Sequence, residues 1–264
     1  MVKSKYSVLR ALVLAATAVV CASAQSTGTL TNVSMANYGP IVAPDSIASG
    51  WGTNLTSGTT SATGLPLLTT LGNTQVSIVD SKGVKVSAPL YLASPGQINY
   101  LVPSSVALGA ATVTVTSGSL TNSGTLLVSN VAPAVITANG TGKGVPAAQV
   151  VRATSAGAVT YESPFVSSGN PATFVTSPIR LSGTDQVYLT LYATGIRRHS
   201  GNPVIATIGG VRVPVLYAGA QSQFPGLDQI NLGPIPQSLV GKGEVDVILT
   251  VDGVPANTVR LAFQ

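Results

Sequence analysis

Thr112-Val113-Thr114-Val115-Thr116 alternates strictly between polar and apolar β-branched residues, and Ser117-Gly118-Ser119 follows it. Successive side chains of a strand point to opposite faces. The run therefore sets Val113 and Val115 on a core and the threonines toward water, and the Ser-Gly-Ser cluster turns the chain. Outward from this stretch the same period-two pattern recurs in Gln75-Val76-Ser77-Ile78, Val211-Arg212-Val213 and Glu244-Val245-Asp246-Val247. Turn residues separate the runs: Ser81-Lys82-Gly83, Ser94-Pro95-Gly96 and Asn139-Gly140. Asp252-Gly253 between two apolar runs predicts a tight hairpin. Pro89 and Pro214 lie beside strand patterns and predict edges or bulges, where a missing N–H is tolerated.

Composition points the same way. Charged residues make up 8% of the 264 positions, against roughly 25% in an average soluble domain. Long solvent-facing helices need more Glu, Lys and Arg than this. Many short strands joined by the 28 glycines and 17 prolines fit better.

Met1 to Ala24 reads as a secretory leader. Lys3, Lys5 and Arg10 form its basic end, and Ala11 to Val20 is an apolar run too short for a stable membrane span. Ala22-Ser23-Ala24 supplies a small-x-small cleavage pattern, so cleavage is expected between Ala24 and Gln25. Cys21 follows Val20 rather than a small residue, which disfavours a lipid anchor. Cleavage would leave no cysteine and a nearly balanced chain, with no basic stripe for a phosphate backbone. The expectation is an exported protein that binds no nucleic acid and keeps no stable membrane span in its mature chain.

An ordered internal repeat divides the chain. Pro95-Gly96-Gln97-Ile98-Asn99 matches Pro225-Gly226-Leu227-Asp228-Gln229-Ile230-Asn231. Leu71 to Ile78 aligns with Ile208 to Val215, and Leu90-Tyr91 with Leu216-Tyr217. Ser49 to Leu55 resembles Leu191 to Ile196. The fold class expected is all-β: two tandem immunoglobulin-like β-sandwich domains after a cleaved signal peptide. They would span 25–130 and 131–264, the second with an extended lead-in segment at 131–180 that adds strands or loops over the junction.

Four blocks carry a resemblance: Pro44 to Leu55, Ser94 to Asn99, Tyr188 to Gly195, and Gly226 to Asn231. Together they resemble the Solibacter-type uncharacterised C-terminal domain of exported acidobacterial proteins. The resemblance implies an immunoglobulin-like (IPT/TIG-like) sandwich and supplies no catalytic residue. It covers nearly all of the chain beyond the leader, whereas in that family the unit usually ends larger secreted proteins.

Little in the sequence supports chemistry. His199 is the lone imidazole, in Arg197-Arg198-His199-Ser200-Gly201, and no nucleophile elbow accompanies it. A solvated loop is expected there. Gly140-Thr141-Gly142-Lys143-Gly144 fails the phosphate-loop pattern at both ends. Glu244 and Asp246 share a strand face but lack a calcium loop. No cofactor and no metal site is expected. The amides of Gln97, Asn99, Gln229 and Asn231 are expected to have a structural role, satisfying turn backbone. Trp51 and its counterpart Tyr192 are expected to fill equivalent core positions. Tyr38, Tyr100 and Phe224 are the aromatic residues open to carbohydrate binding. The function expected is a non-enzymatic, exported surface interaction or adhesion module with an extracellular protein or polysaccharide partner. The alternative is a carbohydrate-binding module assisting polysaccharide degradation.

Overall fold

A computed structural model describes residues 26–181 and 183–264. The leader and the expected Ala24/Gln25 cleavage point lie outside the described residues. Among those residues the only helical element is a single 3-10 turn, Gln237–Leu239.

The first half contains β1 (Ser26–Thr29), β2 (Thr31–Ser34), β3 (Ile41–Val42), β4 (Ile47–Trp51), β5 (Thr60–Ser61) and β6 (Thr70–Leu71). It continues with β7 (Thr74–Val79), β8 (Lys85–Ala88), β9 (Leu90–Ala93), β10 (Gln97–Leu101), β11 (Gly109–Ser117) and β12 (Leu120–Val128). Sheet A runs β1-β12-β11-β7-β6, with β3 also on β12 and β8 on β7; sheet B runs β2-β4-β10-β9-β5. The N-terminal edge is split between the sheets. β1 lies parallel to the last strand β12, while β2 pairs antiparallel with β4. This is an immunoglobulin-like sandwich.

The second half contains β13 (Ala134–Val135), β14 (Ala148–Ala153), β15 (Val159–Glu162), β16 (Phe165–Ser168), β17 (Thr173–Thr176), β18 (Gln186–Thr194) and β19 (Ile205–Ile208). After these come β20 (Val211–Val213), β21 (Val215–Ala220), β22 (Asp228–Leu232), β23 (Gly243–Val251), β24 (Val254–Pro255) and β25 (Val259–Phe263). Sheet C runs β15-β14-β18-β22-β21, with β13 on β18. Sheet D runs β20-β19-β23-β24, with β25 on β23. The lead-in segment supplies β13, β14 and β15 to sheet C. Its β16–β17 hairpin stands apart as a separate two-stranded sheet, closed by an edge-on Phe165–Phe174 contact.

Among the described residues no sheet mixes strands from the two halves, and each half has its own core. Val113 and Val115 are fully buried, as their alternation requires. Asp252-Gly253 forms the two-residue turn between β23 and β24, with both residues at positive φ as such a hairpin demands. Pro89 and Pro214 each sit where the chain crosses from one sheet to the other, β8 to β9 and β20 to β21.

The halves follow one scheme of pairings, in a register that corrects the sequence alignment. Ile78 lies opposite Val113 and Ile208 opposite Val247. Ile78 thus corresponds to Ile208, and Pro89 to Pro214. Leu90 and Val215 stand before the same bulge, so Tyr91 corresponds to Leu216 and Leu92 to Tyr217. The alignment slipped because Gly72-Asn73 and Gly209-Gly210 look alike but turn different strand pairs: β6 to β7 in one half, β19 to β20 in the other.

A buried polar link ties sheet B to sheet A. The Tyr100 hydroxyl donates to Asn32 Oδ1 (2.9 Å), and Asn32 Nδ2 donates to the Thr125 carbonyl on β12 (3.2 Å). Tyr100 is therefore core and not a sugar-facing ring, and burial pushes its phenol far above the ordinary range. Tyr100→Phe leaves the buried Asn32 oxygen without that donor. The expected cost is about 1–3 kcal/mol, read as a lower urea midpoint for the first sandwich.

Candidate binding surfaces and the interdomain junction

The Gln-Ile-Asn segments form the same device twice. Ile98 and Ile230 point inward and are fully buried, so the flanking amides lie on the outer faces of sheets B and C. Gln97 Nε2 donates to Asn99 Oδ1 (2.8 Å), and the Ser49 hydroxyl donates to the same oxygen (2.7 Å). Gln229 Nε2 donates to Asn231 Oδ1 (2.9 Å), joined there by the Thr190 hydroxyl (3.2 Å). These amides hold one another and a cross-strand hydroxyl, not turn backbone. The turn before Gln97 is held instead by Ser94, whose hydroxyl bonds the Gln97 carbonyl and N–H.

Trp51 and Tyr192 occupy equivalent positions, but not core ones. Trp51 lies opposite Gln97 and Tyr192 opposite Gln229. Directly opposed residues share a face, so both rings go with the outer amides. Trp51 is 37% exposed and stacks obliquely on Tyr38, itself 42% exposed, with ring centroids 6.2 Å apart. Sheet C carries Tyr188 and Tyr192 on the same outer face, and Tyr161, Tyr217 and Phe224 are exposed.

The Arg197-to-Gly201 loop is a junction and not a solvated excursion. Arg197 Nε bonds Asp228 Oδ1 (2.6 Å), and Arg197 also reaches the Leu227 carbonyl (2.6 Å). The other Asp228 oxygen accepts the backbone N–H groups of Ile196 (2.7 Å) and Arg197 (3.3 Å). Arg198 crosses to the first sandwich, bonding Asp45 (3.0 Å) and the Ser104 carbonyl (2.9 Å), while Asn130 Nδ2 donates to the Arg198 carbonyl (2.8 Å). Nearby, the Ile47 N–H donates to Thr194 Oγ1 (2.9 Å), whose own proton goes to the Gly226 carbonyl (2.8 Å). The Tyr38 hydroxyl closes the far side on the Gly140 carbonyl (2.6 Å).

No protein-family model matches this chain. No curated protein matches it either. Among solved structures it is similar to the SGBP-B protein of the Bacteroides ovatus mixed-linkage glucan utilization locus, in complex with a mixed-linkage heptasaccharide, at 14% identity and TM-score 0.32. That match covers 85% of this chain and 44% of the other, so this chain spans less than half of that protein's length. It is also similar to domains 5-6 of the S-layer protein SbsC (14% identity, TM-score 0.24, 89% and 96% covered) and to a chimeric titin Z1Z2 (17%, 0.21, 90% and 96%). No residue role is carried over from any of them.

Ser200 and His199 do not form a nucleophile–base pair. The Ser200 hydroxyl donates to Asp252 (2.7 Å), as does its backbone N–H (2.7 Å), and His199 Nδ1 accepts from the Gly201 N–H (3.4 Å). The Ser200 donors hold the Asp252 carboxyl below its ordinary range. Asp80 is lowered too, chiefly by the Ala107 N–H, with Val84 and Lys82 adding theirs. Glu244 and Asp246 both pair with Arg260, so that strand face is an ion cluster of ordinary surface kind. Among the described residues no three His, Cys, Asp or Glu side chains gather as a metal cage. No helix among the described residues is long and apolar enough to cross a membrane. An open groove of about 590 Å³ lies beside β21, lined among others by His199, Asn202, Pro203, Arg212, Leu216 and Tyr217.

Proposed function

We propose that this is an exported, non-enzymatic interaction or adhesion module: two joined sandwiches that present their outer sheet faces and edges to a partner. One observation carries the reading. Each of the eight carboxylates has an arginine or a hydrogen-bond donor beside it. Asp45, Glu162, Asp185, Asp228, Glu244 and Asp246 pair with arginines, Asp80 caps a turn and Asp252 holds Ser200. General acid–base chemistry needs a carboxyl or imidazole free to reach a substrate proton. Here every carboxyl already has a partner, and the Ser200 hydroxyl beside the imidazole donates to Asp252, which supports the reading.

The test measures binding of the purified protein to envelope extracts and a polysaccharide panel, with hydrolysis followed in the same samples. Retention of a partner with polymers unchanged in length is expected, and His199→Ala and Ser200→Ala should leave the polymers as the native protein does. A hydrolytic activity abolished by His199→Ala would overturn the reading.

The Trp51–Tyr38 pair beside Gln97 and Asn99 favours carbohydrate as a second reading, since sugar C–H faces pack on aromatic rings and amides bond hydroxyls. Trp51 is the only tryptophan. Under this reading a soluble glycan quenches or shifts the indole emission, and Trp51→Ala abolishes glycan retention. Unchanged emission at saturating glycan removes it.

A further inference from the structure

The two halves treat one equivalent sheet edge differently. In sheet B, β9 is covered. Thr60 and Ser61 of β5 pair with Ala93 and Leu92, the Ala62 N–H donates to the Tyr91 carbonyl (2.9 Å), and the Leu90 N–H donates to the Leu68 carbonyl (2.9 Å). The corresponding strand of sheet C, β21, is paired only with β22. Its other side borders the groove of about 590 Å³. The cause is chain length. In the first sandwich residues 56–77 connect Leu55 to Ile78, long enough to lay a strap along β9. In the second, residues 197–207 connect Ile196 to Ile208, half that length, and they are spent on the junction.

An open edge presents a row of backbone donors and acceptors, and natural proteins usually guard it with charge or proline. Val215-Leu216-Tyr217-Ala218-Gly219-Ala220 has neither within it, and beyond its pairing with β22 only the Ala220 carbonyl is taken among the described residues, by the Tyr217 hydroxyl (2.6 Å). Leu216 is 59% exposed and Tyr217 43% exposed. The bulge at Leu216 is no guard, because β9 carries the same bulge and still accepts its strap. By the shared register, the Val215 N–H and Leu216 carbonyl stand where the Leu90 N–H and Tyr91 carbonyl meet that strap. The groove's lining adds one cation. That cation, Arg212, has no carboxylate partner among the described residues. The nearby Asp252 is occupied by Ser200.

We propose that this groove is a strand-addition site: an extended peptide of a partner protein pairs with β21 and places an acidic side chain against Arg212. Main-chain bonds would supply the affinity, and Leu216, Tyr217 and Arg212 the selectivity. The proposal rests on the interaction reading and names the partner's chemistry.

The experiment pans a displayed library of linear peptides on the purified protein. The best binder is then measured as a labelled synthetic peptide by fluorescence anisotropy, and by hydrogen exchange of the protein. Enriched peptides should carry Asp or Glu, slow exchange at residues 215–220, and bind about tenfold more weakly to Arg212→Glu. Arg212 is exposed, so that variant should keep the native circular dichroism. Three results of the peptide experiment would overturn the site. One is no peptide binding tighter than about 1 mM. Another is protection confined to other segments or indifferent to Arg212→Glu. The third is protection of 215–220 that grows with protein concentration alone, which would give the edge to a second copy. If Arg212→Glu keeps the partner retained from envelope extracts, this site fails while the interaction reading stands.

Discussion

Asp228→Ala is expected to destabilise the second sandwich by about 3–5 kcal/mol, seen as a lower urea midpoint for its transition. The Asp228 side chain is wholly buried, and Arg197 is largely so. Removing the carboxylate leaves a guanidinium and the Ile196 N–H without the groups that satisfy them. Arg197→Met should cost less. It removes one charge, but the two backbone N–H groups still neutralise part of the other. Acid acts differently from truncation, because protonation leaves both oxygens in place. Burial raises the Asp228 carboxyl against the opposing pull of the Ile196 N–H and Arg197. A folded pKa above the unfolded one means that, for this group alone, stability rises as pH falls through the folded value. Asp80 and Asp252 have the opposite sign. Their lowered values contribute stability above the usual carboxylate range, and it is lost as pH falls through the folded values. Acid unfolding should therefore begin at the Asp80 turn and the Ser200 tether, and not at the Asp228 pair. Hydrogen exchange at falling pH, with residues 80–84 and 199–201 opening before 196–197, is the measurement.

Strand positions and core faces were legible because period two is a local property. Val113 and Val115 could point only one way once their threonine neighbours pointed the other. The side of the sheet on which Trp51 lies was not legible. A large ring suggests burial, yet strand parity overrides it, and parity follows from a pairing register between segments far apart in sequence. The Gln-Ile-Asn motif held the clue: with its isoleucine inward, whatever lies opposite the glutamine faces outward. Glycine turns misled for a related reason. Glycine is selected by the sign of φ, whichever strands the turn joins, so Gly209-Gly210 imitates Gly72-Asn73 without being its counterpart. The amides of Gln97 and Gln229 went astray in the same way, since side chains that can serve a turn can equally serve each other. The junction was the least legible part. Arg197 and Asp228 are 31 positions apart and Arg198 and Asp45 are 153 apart. A pair of adjacent arginines reads as solvated until the acids that meet them are known.

Gly226→Leu is expected to part the two sandwiches while leaving each folded. Gly226 has φ +78°, and a Cβ there would come within 2.6 Å of Ile47 Cγ1 and 2.9 Å of Leu101 Cδ1 in the first sandwich. Two penalties combine. A left-handed backbone costs a side chain about 1–2 kcal/mol, and the added atoms occupy space already filled across the junction. Displacing the loop also moves the Gly226 carbonyl that anchors the Thr194 hydroxyl, and with it the bond from the Ile47 N–H. Among the described residues the links that remain are one partly exposed ion pair, Arg198 to Asp45, and four hydrogen bonds: Arg198 to Ser104, Asn130 to Arg198, Tyr38 to Gly140 and Tyr91 to Pro225. The ion pair contributes at most about 1 kcal/mol and each neutral hydrogen bond about 0.5–1.5 kcal/mol, so they tether the halves against the clash without restoring the packed contact at Gly226. Gly210→Leu separates the two penalties. Gly210 has the same φ of +78°, and nothing lies within 4 Å of its would-be Cβ, so it reports backbone strain without the clash. Small-angle scattering should show a larger radius of gyration and a broadened shape distribution for Gly226→Leu and a native profile for Gly210→Leu. An unchanged profile for both would mean that the joint is set elsewhere, at Arg198 or at the Tyr38–Gly140 contact. A changed profile for both would mean that local strain alone loosens it.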